Sequence, residues 1–307
     1  MKASKLILGS ILLTLTCCLT LLSETESQHA IQNYSVTIAN NPPTIGTPTC
    51  CIEDQCGTSY TPRQAADYSI TCYATANDPN GYLDISQYGN GRLTFYKNDS
   101  EETGTEDQDI RYTKSHCTFS NGNGQALTVN CTISGIKYYA DAGEWIAKIY
   151  VTDGISKPAY STMTLTINSQ VAIDQTPTLD FGTMDIGSAG SSSRLGYNNV
   201  QAITKNTGNV NINLTITAPA SMKCSVAGNM GIGNITFDTA ENTTYPGKCH
   251  LQQGTITPRE CQYLGLNIPD QEDPAGNYTA TTYWGIAIPD GVSGTCWADT
   301  TFNAIQA

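Results

Sequence analysis

The sequence predicts an all-β protein: two tandem immunoglobulin-like β-sandwiches with an extended N-terminal strand after a signal peptide. Three observations lead there. Apolar and polar residues alternate with a period of two at residues 69–74, 93–96, 127–133, 145–151 and 163–167, the pattern of half-buried strands. Turn-forming clusters separate these runs at short intervals, at 77–81, 89–91 and 121–124, as in an antiparallel sandwich. The chain has 12 cysteines, two of them in the leader (Cys17, Cys18), and the rest fall into even groups. Cys50, Cys51, Cys56, Cys72, Cys117 and Cys131 form the first group, and Cys224, Cys249, Cys261 and Cys296 the second. Even counts are expected when each domain closes its own disulfides in an oxidising compartment. Six cysteines still allow 15 pairings and four allow 3.

Lys2 and Lys5 precede an apolar run from Leu6 to Leu22, and polar residues follow. That order predicts a secretory signal at residues 1–27 with small residues at Thr25-x-Ser27, in preference to a retained anchor. No other run approaches membrane length. Residues 28–41 read as an extended segment and a hinge. Ile31, Tyr34, Val36 and Ile38 are its apolar positions; the last three share one strand face, and Asn40-Asn41-Pro42-Pro43 stops the strand. The first sandwich is placed at residues 42–168 and the second at 169–307. From Cys296 to Ala307 the strand signal is weak.

Formal net charge is −12, yet only 14% of residues are charged. Few cations argue against nucleic acid, whose affinity comes mainly from Lys and Arg on phosphate.

Two resemblances follow from motifs. "PPTI" (42–45), "ATANDPNG" (74–81), "AGEWIAKIYVTDG" (142–154) and "STMTLTIN" (161–168) resemble the PKD and cadherin-like immunoglobulin-fold modules of secreted proteins. "PTLDFGTMDIGS" (177–188) with "ITKNTGNVNINLTITAP" (203–219) is similar to Hydin-like immunoglobulin modules of surface proteins. Neither resemblance implies catalytic residues. The first implies that oxygen ligands for calcium can sit in the turns holding Asp78, Asn80, Asp84 and Asp153. Hard cations want clustered carboxylates and carbonyls, but aspartates in tight turns also cap their own backbone.

Seven N-x-S/T sequons occur, at Asn33, Asn98, Asn130, Asn213, Asn234, Asn242 and Asn277. In a strand the asparagine and the hydroxyl residue share a face, so Asn130 is expected outward against Leu127, Val129 and Ile133. Asn213 with Thr215 is expected outward against Ile212, Leu214 and Ile216, and Asn234 outward against Ile235 and Phe237. The acidic run Glu101, Glu102, Glu106, Asp107 and Asp109 reads as a solvated hairpin tip. His29, His116 and His250 lie in unrelated contexts, and no HExxH, GxSxG or phosphate-cradling loop is present. Enzyme activity is therefore not expected, and no cofactor apart from calcium.

The 34–43 stretch is written like a final strand: "YSVTIAN" matches the form of "YSTMTLTIN" at 160–168. A free apolar row beside unpaired backbone is an aggregation hazard, and an incomplete sandwich can be completed by a strand from another chain. The expectation is a secreted, N-glycosylated structural subunit of an extracellular filament. Its N-terminal strand enters a neighbouring copy, so the partners are further copies of the chain. The second sandwich is the expected acceptor. Pairing of 31–40 with its own first domain is the competing arrangement, and a monomeric surface module binding carbohydrate or calcium is the alternative function.

Overall fold

The computed structural model describes residues 34–155, 158–186, 200–241, 248–272 and 276–307. Residues 40–307 form one compact unit, and the described residues 34–39 lie outside it. The unit contains two immunoglobulin-like sandwiches in tandem.

The first sandwich begins with β1 (Thr44–Ile45), β2 (Thr49–Ile52), β3 (Gln55–Cys56), β4 (Ser59–Tyr60) and β5 (Tyr68–Asn77). It continues with β6 (Asn90–Lys97), β7 (Arg111–Lys114), β8 (Thr118–Asn123), β9 (Ala126–Ile136), β10 (Gly143–Thr152) and β11 (Pro158–Ile167). One sheet runs β3-β2-β5-β9-β8 with β1 added to β5, and the facing sheet runs β4-β11-β10-β6-β7. The alternation seen in sequence reappears as burial. In β10, Trp145, Ala147, Ile149 and Val151 are fully buried between the sheets while the residues between them are not. Trp145 stacks on Phe95 with ring centroids 4.7 Å apart, a geometry that adds to the area term. Gly89 sits where a Cβ would be 1.9 Å from the Thr152 carbonyl, so the chain enters β6 against the end of β10 only because no side chain intervenes.

The second sandwich comprises β12 (Ile173–Gln175), β13 (Val200–Asn206), β14 (Ile212–Ala218), β15 (Ser221–Cys224), β16 (Asn229–Gly231) and β17 (Ile235–Asp238). It is completed by β18 (Cys249–His250), β19 (Gly254–Ile256), β20 (Thr279–Ile286), β21 (Cys296–Trp297) and β22 (Thr301–Gln306). A β12-β13-β20-β17-β18 sheet is accompanied by two smaller ones, β19-β14-β22 and β16-β15-β21. Its core centres on Trp284, stacked on Phe237 at 4.8 Å and edge-on to Phe302 at 5.8 Å. The weak strand signal after Cys296 understates the structure. β22 pairs along its whole length with β14, from Gln306 opposite Ile212 to Thr301 opposite Thr217, and long-range pairing overrides its modest local propensity.

Among the described residues five disulfides form, each within one sandwich: Cys50–Cys72, Cys51–Cys56, Cys117–Cys131, Cys224–Cys296 and Cys249–Cys261. Three of them join directly opposed residues of antiparallel ladders, so sheet register decides the pairing that sequence leaves open.

The joint between the sandwiches is built by Asn206-Thr207-Gly208-Asn209, all buried. The Asn209 amide donates to the carbonyls of Ala140 (3.1 Å) and Asn168 (3.2 Å), and its Oδ1 accepts the Gln170 N–H at 2.6 Å. Asn206 Nδ2 donates to Val210 and Ile268 carbonyls, and its Oδ1 accepts the Gly208 N–H. These two amides satisfy backbone groups that burial at the joint would otherwise strand.

Candidate functional site

Two features stand out: a carboxylate cluster at one end of the first sandwich, and the exposed row at residues 34–38.

The cluster is assembled from three separate turns. Asp78 follows β5 in the Asp78-Pro79-Asn80-Gly81 turn, where Gly81 takes φ +109°. Its Oδ1 accepts the Asn80 N–H at 2.7 Å, an Asx turn. Asp153 follows β10 and does the same with the Ile155 N–H at 2.9 Å. Asp84 opens a π-helical turn, Asp84–Tyr88, a rare element that often marks functional positions. Gly154 brings the Asp153 turn against it, since a Cβ there would lie 2.8 Å from Asp84 Oδ1 and 2.9 Å from Tyr88 Cβ. One carboxylate oxygen from each of the three aspartates lies within 4.8 Å of the other two.

Turn capping explains Oδ1 of Asp78 and Asp153 but not their second oxygens. Asp153 Oδ2 accepts from the Asn40 amide at 2.7 Å. Asp78 Oδ2 is buried without a hydrogen-bond partner, on a side chain with no exposed surface. Burial, and then the negative charges of Asp84 and Asp153, push the Asp78 carboxyl above its usual range despite the Asn80 N–H. Such an orphaned buried oxygen is unfavourable unless something positive or protonated meets it. The donor set is all oxygen, which fits a hard cation such as Ca2+ and not a thiolate- or imidazole-seeking metal. Of the four residues singled out in sequence, Asp78, Asp84 and Asp153 converge. Asn80 instead supports the cluster, giving its N–H to Asp78 while its side-chain oxygen accepts the Asn41 N–H at 2.8 Å. Sequence reasoning missed Asn40, whose only signal is its place in the Asn-Asn-Pro-Pro hinge.

Tyr34, Val36 and Ile38 are 86%, 83% and 78% exposed. No described residue forms a ladder with residues 34–38. Ile31, Asn33 and the whole of 1–27 lie outside the described residues, as does Asn242.

The remaining sequons differ in surroundings. Asn98, Asn130 and Asn277 are exposed. Asn213 is half-buried, with its Oδ1 accepting the Asn267 N–H at 2.8 Å, and Thr215 is buried rather than outward. The reason is that the 265–268 segment packs along β14 through a bridge between Ile212 and Ile268, covering a face that alternation alone assigns to solvent. Asn234 ends a 3-10 turn (Ile232–Asn234) and donates to the Gly231 carbonyl, with Thr236 fully buried.

The acidic run at 101–109 is also less solvated than its composition suggests. Glu102 folds back over the sheet to meet Lys148 Nζ at 2.8 Å and the Tyr150 hydroxyl. Burial opposes its charge, but these hydrogen bonds outweigh burial and hold the carboxyl below its usual range.

The chain matches no protein-family model and no curated protein sequence. Among solved structures it is similar to the PKD domain of an M14-like peptidase from a Thermoplasmatales archaeon, at 16% identity over 42% of this chain and 99% of that one, TM-score 0.24. It is also similar to a chaperone–tip adhesin complex of CFA/I fimbriae (12% identity, 87% of this chain and 84% of that one, TM-score 0.28). A third is BcpA, the major pilin subunit of Bacillus cereus (11% identity, 86% and 66%, TM-score 0.26). Likeness at this level carries no functional argument. Among the described residues no helix is long and apolar enough to cross a membrane.

Proposed function

We propose that the chain is a structural subunit of a secreted extracellular filament or surface appendage, assembling head-to-tail by donation of the 34–38 strand to a neighbouring copy. The observation that carries this reading is the row Tyr34, Val36 and Ile38. It has strand alternation, is almost fully exposed and has no ladder partner among the described residues. An apolar strand left in that state favours pairing with another chain. Identical contacts that do not close generate an open fibre. Five disulfides suit an oxidising, extracellular setting. Asn98, Asn130 and Asn277 are the sequons whose exposure suits N-linked glycans.

A cation at Asp78, Asp84 and Asp153 belongs to the same reading. Asn40 binds Asp153, so charge compensation there would stiffen the point from which the donor strand departs. The cluster also supports a second reading, a monomeric calcium-binding surface module. Negative-stain microscopy and sizing of the mature protein separate the two. Filaments that vanish when residues 28–40 are deleted support donation. A stable monomer with or without those residues refutes it.

A further inference from the structure

Resting on the strand-donation reading, we propose that the acceptor is a groove in the second sandwich beside β22, now covered by the chain's own residues 177–185. The occupant is the Tyr34–Ile38 strand of a second copy.

The groove is built around a segment with little backbone pairing. After β12 the chain makes one last ladder-like bond, from the Thr176 N–H to the Ile203 carbonyl at 3.1 Å. Pro177 then removes a donor. Among the described residues, 177–185 makes no backbone–backbone hydrogen bond; Gly182 N–H bonds only the Asp180 side chain, at 2.8 Å. The segment is held by Leu179, Phe181 and Met184, half-buried against the second core. On either side of it lie cavities of about 710 Å³ and 650 Å³, the first reaching Trp284 and Phe302 and the second Met230 and Ile286. β22 pairs with β14 on one side, and among the described residues no strand pairs with its other edge. In the first sandwich the outer edge of β11 is covered at its end, where β4 pairs in parallel at Thr166 and Ile167. The second sandwich therefore offers an edge with no strand partner among the described residues, beside cavities that reach its aromatic and aliphatic core. A strand laid there gains main-chain bonds from β22 and places alternate side chains into the cavities.

Chain geometry requires that the occupant come from another copy. Asn40 is tied to Asp153 at the far end of β10, while the joint holds Ala140 and Asn168 at the near end. The ten residues of β10 separate these ends by about 33 Å. From Asn40 back to Tyr34 the chain reaches at most about 21 Å. Residues 34–38 cannot return past the first sandwich to the groove of their own second sandwich.

The test is photo-crosslinking of the full mature chain with p-benzoylphenylalanine in place of Thr37, an exposed position on the strand face opposite Tyr34, Val36 and Ile38. Equal amounts of 14N- and 15N-labelled protein are mixed, assembled, irradiated and digested. The expected result is mixed-isotope crosslinks from residue 37 to peptides spanning 177–186 or 296–306, reduced at least tenfold by Tyr34→Asp with Ile38→Asp. Mixed-isotope crosslinks to residues 158–165, the open edge of β11, would overturn the groove and leave strand donation standing. Single-isotope crosslinks only, or no chain-to-chain product, would overturn strand donation and the groove with it.

Discussion

Val36→Ala combined with Ile38→Ala is the sharpest test of the proposed strand donation. Val36 is 83% and Ile38 78% exposed in the single chain, so nearly all of each side chain is available for burial by a neighbour. The pair of substitutions removes about five hydrocarbon groups, at about 0.8 kcal/mol each when buried. With part of that surface already covered, the expected loss is about 3 kcal/mol, or roughly a hundredfold in the subunit–subunit dissociation constant. The same substitutions should leave the isolated subunit almost untouched, because exposed positions away from caps and cores shift stability by about 0.5 kcal/mol or less. Sedimentation velocity across a concentration series measures the first effect, and differential scanning calorimetry of the monomer the second. An unchanged association constant refutes donation outright. A monomer melting temperature lowered by many degrees refutes it differently, by showing that the strand belongs to its own domain.

Three further outcomes follow from the compact unit. Asp78→Asn should raise the melting temperature in EDTA at neutral pH, because a carboxyl whose folded pKa is raised costs stability once pH exceeds its unfolded value; it should also abolish the gain from calcium, which at about 100 times Kd is about 2.7 kcal/mol in the wild type, and an equal gain in both proteins would place the cation elsewhere. Asp270, 8% exposed, is pushed up to about 6 by burial first and then by Glu272 and Asp141, against Lys97; its contribution is fully present below the unfolded value and lost as pH rises through about 6, so Asp270→Asn should stabilise by about 2 kcal/mol at pH 7.5 and by little at pH 4 in urea titrations. Gly208→Ala puts a Cβ 1.9 Å from the Gln170 carbonyl and should cost about 3 kcal/mol, read as faster proteolysis at residues 168–172 with both disulfide-closed domains still folded.

Most strands were legible because burial between two sheets imposes a two-residue period on sequence: Trp145, Ala147, Ile149 and Val151 announce β10 directly. The two Asx-turn aspartates were legible for a local reason, since their caps involve only neighbours two residues on. What alternation could not convey is everything decided by distant partners. Asp84 joins Asp78 and Asp153 because a π-helical turn and Gly154 bring three loops together, and no spacing encodes that. Thr215 is buried by a segment some fifty residues away. Asn206 to Asn209 enters the sequence reading only inside a longer motif, yet its amides carry the joint between domains. β22 has little propensity of its own and exists because β14 pairs with it.

In the proposed assembly the donated strand would leave at Asn40, which bonds Asp153 at the end of β10. β10 is paired along its whole length with β11 and over most of it with β6, and the other end of the same ladder meets the Asn206–Asn209 joint. Beyond the joint, β14 pairs with β22, whose first residues Thr301 and Phe302 line one of the cavities. A pull on a donated strand would therefore pass through the Asp153 turn, along continuous antiparallel ladders, across a joint whose polar groups are satisfied, and into the next subunit through β22. Each station resists for a physical reason already visible in the single chain: a carboxylate cluster able to gain a cation, a ladder loaded along its strands, and buried amides whose bonds would have to break in a dry environment. The weak station is residues 177–185, which among the described residues make no backbone–backbone hydrogen bond and pack through Leu179, Phe181 and Met184; in the proposed assembly it would have to yield for a neighbouring strand to enter.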